Sequence, residues 1–359
     1  MRFGLFYLPT YPSAVGPAPA GLLRELVEQA VLAEELGFAG IWLAEHHFHG
    51  FGGVLSSPAA VGCAIAARTR RLRIGTAVAL LPYHHPLRVA EDYATLDVLS
   101  DGRLDFGVGT GFLRWENEVW DAPLDTARAK FAEALAIVLR TWTEEEVAYQ
   151  GQFTRFPSLT VLPRPVQRPH PPVWLAATTT PESFQLAGRR GYHLMLIPFL
   201  HEVAELREKV ALYREALREA GHDPTTREVL GAYHVYVGPD RATSRAVAAE
   251  GLNRYRAAAG EIHARTAHLP LPEAFSAHVR SRGEVRTLDI DTLLAQRRVI
   301  AGPPAECIEV LASLREDLGL TYLAANVCLG GLEMTEVRRA MERLATRVMP
   351  AFQRTAPVS

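Results

Sequence analysis

Glu45-His46-His47-Phe48 closes the apolar run Phe38-Ala39-Gly40-Ile41-Trp42-Leu43-Ala44, so one carboxylate and two imidazoles stand at the end of a short hydrophobic segment. The C-terminal end of a parallel strand is the usual address of chemistry in α/β proteins. Groups of these types can move protons near neutral pH or ligate a metal. His47-Phe48-His49 forms an H-x-H pair, but a barrel metal site needs further His, Asp or Glu ligands at later strand ends. Those ends carry Gly and Thr, and the last carries Asn326-Val327-Cys328, so no metal is expected.

Three further segments carry residue types that suit a ligand. Phe106-Gly107-Val108-Gly109-Thr110-Gly111 lets backbone approach a flat or anionic ligand, or simply turns the chain. Its G-x-G-x-G spacing is not a dinucleotide fingerprint. Ala177-Thr178-Thr179-Thr180-Pro181-Glu182-Ser183 offers hydroxyls and backbone N–H groups at a helix start, suited equally to a phosphate or to ordinary capping by Thr180. Gly75-Thr76-Ala77-Val78-Ala79-Leu80-Leu81-Pro82 has small residues that leave room for a planar ligand or pack a core.

The elements that must position these residues alternate between strand and helix patterns. Strands are expected at 3–8, 39–44, 72–80, 104–108, 173–177, 193–197, 229–237 and 322–327. Helices are expected between them, including 86–99, 125–147, 202–220, 241–258 and 306–318, with a closing helix near 334–347. This is the pattern of a (β/α)₈ TIM barrel with insertions in its βα loops, a single domain over residues 1–359. The insertions fall near 148–172, which is proline-rich and reads as extended loop, and near 259–298, which is polar and helix-prone with Gly283 inside it. Residues 58–67 (Pro-Ala-Ala-Val-Gly-Cys-Ala-Ile-Ala-Ala) form a helix with no polar face, which points to cover by a second copy in a homodimer, or else by an internal insertion.

Composition narrows the function classes. The 359 residues are 48% hydrophobic and 22% charged, with 38 basic against 40 acidic side chains and a net charge of −2. Such a balance gives no pull toward nucleic acid or membrane. Cys63, Cys307 and Cys328 show no C-x-x-C spacing and read as small buried hydrophobes in a reducing compartment. There is no signal-like h-region and no apolar run of the roughly 18 residues that a membrane span requires. A cytoplasmic location is expected.

Taken in order, these segments resemble the bacterial luciferase-like flavin-dependent monooxygenases over nearly the whole chain. The matching pieces are Gly37-Phe38 through Trp42, Glu45-His46-His47-Phe48, Arg73-Ile74-Gly75-Thr76-Ala77-Val78, and Leu81-Pro82 with His85-Pro86-Leu87-Arg88. Leu96-Asp97-Val98-Leu99-Ser100-Asp101-Gly102-Arg103, Phe106-Gly107-Val108-Gly109, Pro172-Val173-Trp174-Leu175-Ala176-Ala177, Gly330-Gly331 and Val348-Met349-Pro350 follow.

The resemblance implies an enzyme that binds reduced FMN, delivered by a separate flavin reductase. It implies reaction with O₂ through a C4a-(hydro)peroxyflavin to oxygenate a small organic substrate. His46 falls on the family's catalytic histidine, and Glu45 orients an imidazole or contacts flavin. The family's non-proline cis peptide falls on Ala77-Val78, and its glycine loop on Gly109 and Thr110. Its phosphate loop falls on Thr179, Thr180 and Ser183. Many members carry Arg where Thr110 stands, so a substitute cation is required, with Arg114 the nearest in sequence. The same departure keeps open an F420-dependent oxidoreductase that transfers hydride. A non-catalytic flavin-binding subunit is the third reading, which retention of His46 disfavours.

Overall fold

A computed structural model describes residues 1–353 apart from 17, 19, 270–282 and 286. In chain order its strands are β1 (Arg2–Tyr7), β2 (Gly40–Leu43), β3 (Arg73–Thr76), β4 (Ala79–Leu80), β5 (Leu104–Gly109), β6 (Val147–Gln150), β7 (Arg155–Leu159), β8 (Val173–Ala176), β9 (His193–Leu196), β10 (Val229–Val237), β11 (Val299–Gly302) and β12 (Tyr322–Asn326). Among the described residues, eight staves pair in parallel in the order β10-β12-β1-β2-β3-β5-β8-β9, and β9 pairs back onto β10 to close a TIM barrel. β4 continues the β3 stave, pairing with the end of β5.

The helices that matter for the site are α1 (Leu22–Glu35), α2 (Pro58–Arg68), α3 (Pro86–Leu99), α4 (Arg114–Val119), α5 (Leu124–Thr143), α6 (Pro181–Arg189), α7 (Val203–Glu219) and α8 (Arg241–Arg265). Because helices cover the outside and side chains fill the inside, the staves are buried on both faces. They therefore read as unbroken apolar runs, as in β10, whose nine residues are all buried.

Large aromatics fill the barrel interior. Trp42 meets Trp174 edge-on at 5.0 Å and Tyr322 at 5.7 Å, with Met195, Leu230 and Ala324 around them. Small residues on neighbouring staves make the room. A Cβ on Gly75 would lie 2.2 Å from the Trp42 ring, so only glycine fits beside it. This packed plug is the floor on which the strand ends stand.

Four sequence expectations change. The long helix after β5 ends at Thr143 rather than 147, where Val147 starts an antiparallel hairpin, β6 with β7. The proline-rich 148–172 stretch thus contains a strand, and Pro157 is tolerated because a two-stranded ribbon has only edges. Val299–Gly302 adds β11, a four-residue apolar run overlooked beside the insertion, paired with the last four residues of β10. α8 runs on to Arg265 instead of stopping near 258, so it takes up the start of the 259–298 insertion; residues 270–282 and 286 of that insertion lie outside the described residues. The third strand is interrupted at Ala77-Val78, a cis peptide at the position the resemblance implied. α2 lies beside α1 and α3 and leaves Ala60, Ala64 and Ala67 exposed. Among the described residues, no helix is long and apolar enough to cross a membrane.

Candidate active site

The C-terminal ends of the staves surround a cavity of about 280 Å³. Its wall includes Glu45 and His46 after β2, Ala77 and Val78 between β3 and β4, Gly109 and Thr110 at the end of β5, and Thr179, Thr180 and Ser183 after β8. All nine residues singled out from the sequence therefore meet around one space.

His46 is 7% exposed, and its Nδ1 lies 3.0 Å from Oε1 of Glu116 on α4. The same oxygen accepts the His47 backbone N–H at 2.7 Å and faces Nε2 of His49 at 3.0 Å. Burial pushes the Glu116 carboxyl up, but the imidazoles of His46 and His49 outweigh it and hold it down at about 2. Glu116 is thus an anion at neutral pH, and it takes a proton-bearing Nδ1 from His46. The other ring nitrogen, Nε2, remains for the cavity.

Glu45 serves different partners. Its Oε1 lies 2.5 Å from Nε2 of His84 and 3.1 Å from Nε2 of His47, and its Oε2 accepts the Leu80 N–H at 3.0 Å. Burial raises this carboxyl, yet the two imidazoles and the amide together leave it below its ordinary value. Burial likewise works against a charged His84, and Glu45 overrides it to raise that imidazole. Glu45 therefore ties the strand-two loop to β4 and positions His47 and His84. It touches the cavity wall, while the carboxylate that orients His46 is Glu116.

Sequence reading passed over Glu116. The only signal was an acidic residue set between Trp115 and Trp120 soon after the glycine loop. Its complete burial comes from the tertiary fold. His46, His49 and Glu116 form one carboxylate–imidazole set, and Glu45, His47 and His84 a second beside it. Either could gather donors around a cation, but the hydrogen bonds already account for their close approach.

Gly109 is needed by packing: a Cβ there would sit 2.5 Å from Cγ2 of Val78. The glycine lets β5 pass against the Ala77-Val78 segment, leaving a flat, small-residue surface at the cavity wall. Across the space, Thr180 stands at the N-cap of α6, but its hydroxyl pairs with that of Ser183 at 2.9 Å instead of capping a backbone N–H. Capping alone does not explain these hydroxyls. His201, buried after β9, sits behind them, its Nε2 at 3.5 Å from the Thr179 hydroxyl and its Nδ1 at 2.8 Å from Glu205.

Thr110 supplies no charge, and Arg114 does not replace the missing arginine, because its guanidinium bonds the Leu269 carbonyl. The arginine at the cavity is Arg128 on α5, seventeen positions beyond the last glycine of the loop and one helix away. Helical phase brings it to the rim, which proximity in sequence could not show.

Residues 1–322 match the family model described as luciferase-like monooxygenase. The chain belongs to the luciferase-like monooxygenase family. It is similar to the 4-hydroxyprotoasukamycin monooxygenase of Streptomyces nodosus subsp. asukaensis, at 30% identity over 98% of this chain and 92% of that one. It also matches the oxygenase component of a flavin-dependent trigonelline monooxygenase from Acinetobacter baylyi, at 30% identity over 65% of this chain and 64% of the relative. The chain thus spans just under two thirds of that relative's length. Among solved structures, monooxygenase RslO1 from Streptomyces bottropensis superposes with a TM-score of 0.85 at 32% identity, covering 98% of this chain and all of that one.

Proposed function

We propose that this luciferase-like protein is the oxygenase of a two-component system, taking reduced FMN from a separate reductase and using O₂ to oxygenate a small organic substrate. The observation that carries this reading is the convergence on one cavity of a carboxylate-oriented histidine, a flat small-residue wall, and a hydroxyl cluster with an arginine at its rim. Those features suit the parts of FMN. Thr179, Thr180, Ser183 and Arg128 would hold the phosphate, and Ala77, Val78 and Gly109 would lie against the ring. Reduced flavin held there would supply two electrons to O₂, so that one oxygen atom would enter the substrate and the other would leave as water.

The chain's own contribution is orientation, water exclusion and proton control. Glu116 holds His46 with Nδ1 protonated, so Nε2 can accept or return a proton at the reacting centre. Phe51 and Phe112 pack against the His46 ring at 5.4 and 5.8 Å and shield it from water. No G-x-G-x-x-G fingerprint is present to bind a nicotinamide donor, and the trigonelline relative is itself named as an oxygenase component, which supports a partner reductase. The exposed alanines of α2 support association of two copies.

Thermal protection separates the cofactors, because a ligand that binds only the folded state raises its melting temperature. FMN should protect strongly, riboflavin weakly and F420 not at all. Protection by F420 in place of FMN would favour hydride transfer and overturn the proposal.

A further inference from the structure

The residues offered to flavin occupy only the part of the cavity wall contributed by β3, β5 and β8. Another part comes from β1, β12 and β10, and includes Phe6, Asn326 and His234, with Phe199 after β9 and Tyr255 on α8 adjoining it. His234 stands out there. It lies in the C-terminal half of β10, is 5% exposed, lines the cavity, and its wholly enclosed Nδ1 has no hydrogen-bond partner among the described residues. Buried polar groups in native proteins are almost always satisfied, so an imidazole on the wall of a ligand cavity with no hydrogen-bond partner among the described residues points to a partner that arrives with the ligand.

The ring is fixed by its neighbours. Phe199 meets it edge-on at 4.9 Å and Tyr255 at 4.7 Å. Tyr255 in turn touches Phe51 at 4.9 Å, and Phe51 touches His46 at 5.4 Å. A continuous row of aromatic contacts therefore leads from His46 to His234 along one side of the space. Among the described residues, the carboxylates and the guanidinium of the cavity wall (Glu45, Glu182 and Arg128) all lie outside the β1, β12 and β10 part. Burial, helped by Arg256, also keeps His234 uncharged at neutral pH.

We propose that His234 and the aromatic row Phe51, Tyr255 and Phe199 form the substrate subsite, and that it takes an uncharged, ring-bearing substrate whose single hydroxyl or keto group hydrogen-bonds His234. Aromatic edges suit a ring. An uncharged wall disfavours a carboxylate or a quaternary ammonium, which would be desolvated without a counter-ion. One neutral imidazole, able to donate or to accept, selects for one oxygen function. The proposal rests on the flavin reading only in leaving this part of the cavity to the substrate.

Equilibrium binding of 2-naphthol, naphthalene and 2-naphthoate to the full chain, with and without FMN, tests it. The wild type should bind 2-naphthol about tenfold more tightly than naphthalene, the weight of one hydrogen bond, and should bind 2-naphthoate less well than either. His234→Phe should erase the preference for 2-naphthol while leaving naphthalene and FMN affinities unchanged. His234→Asn should recover part of it. His234→Leu is a second apolar replacement should the Phe variant fail to fold. An equal affinity of the wild type for 2-naphthol and naphthalene, a preference that survives in the apolar variants, or tight binding of 2-naphthoate would each overturn the proposal. A preference that holds while FMN fails to bind would keep the subsite and reject the flavin reading instead.

Discussion

Oε1 of Glu116 lies 3.0 Å from Nδ1 of His46, and this contact determines which ring nitrogen faces the cavity. The carboxylate is buried, held ionised by the imidazoles around it, and carried on a short helix that follows the glycine loop. Glu116 thereby sets the tautomer of His46, and in the proposed oxygenase it would be the positioning residue of a proton carrier.

Glu116→Gln keeps the shape of the side chain and removes its charge. The amide can still meet Nδ1 of His46 but no longer holds the ring with a buried anion. Substrate oxygenation per reduced flavin should fall about 10²-fold, with little change in flavin affinity. Product yield per reduced flavin and fluorescence titration with FMN check both. Glu45→Gln should leave the contact between His46 and Glu116 in place, since Glu45 serves His47 and His84 instead.

Arg128→Ala should weaken FMN binding by about 1.5–3 kcal/mol, the loss of one charge-assisted contact to phosphate. Riboflavin, which has no phosphate, should bind both forms equally. Fluorescence titration with the two flavins distinguishes loss of the phosphate contact from general damage. Arg114→Ala should not change the ratio, since its guanidinium engages the Leu269 carbonyl.

Gly109→Ala places a methyl group 2.5 Å from Cγ2 of Val78, so the segment that forms the flat wall must move. Overpacking of this kind costs about 1–3 kcal/mol. The expected outcome is a lower melting temperature and weaker flavin binding, with far-UV circular dichroism unchanged.

The barrel was legible because its staves are apolar runs punctuated by helices, and eight of them could be placed from periodicity and turn residues alone. β11 was missed because a four-residue apolar run next to an irregular insertion looks like a loop, and pairing with β10 is what makes it a strand. His46, the Ala77-Val78 segment and the hydroxyl loop were visible as motifs at strand ends. Glu116, Arg128 and His234 were not, because each reaches the cavity through tertiary packing: a short helix turned inward, a helix phase, and an orphaned ring in the longest stave. No local spacing encodes those.

Stability should depend on pH in two windows. Burial depresses His193 and His234 to about 4 from an ordinary value of 6.5, and Nδ1 of His193 accepts the Glu228 N–H at 2.9 Å, so it must stay unprotonated. Between 6.5 and 4 the unfolded chain binds protons that these folded rings refuse. Stability therefore falls as pH drops through that range, by about 1.4 kcal/mol per pH unit for each ring at most. Glu116 acts lower: its contribution is complete above 4.5 and is lost as pH falls through about 2. Denaturant melts from pH 7 to 4 should show the first slope, and His234→Phe should remove one of its two parts.

Stopped-flow mixing of the protein with reduced FMN and oxygenated buffer tests the flavin-oxygenase reading most directly. The expected result is a distinct, oxygen-dependent absorbance phase that precedes the appearance of oxidised flavin and is lost or accelerated to decay in His46→Ala. Oxidised FMN appearing in one phase at the rate seen in buffer without protein would contradict it.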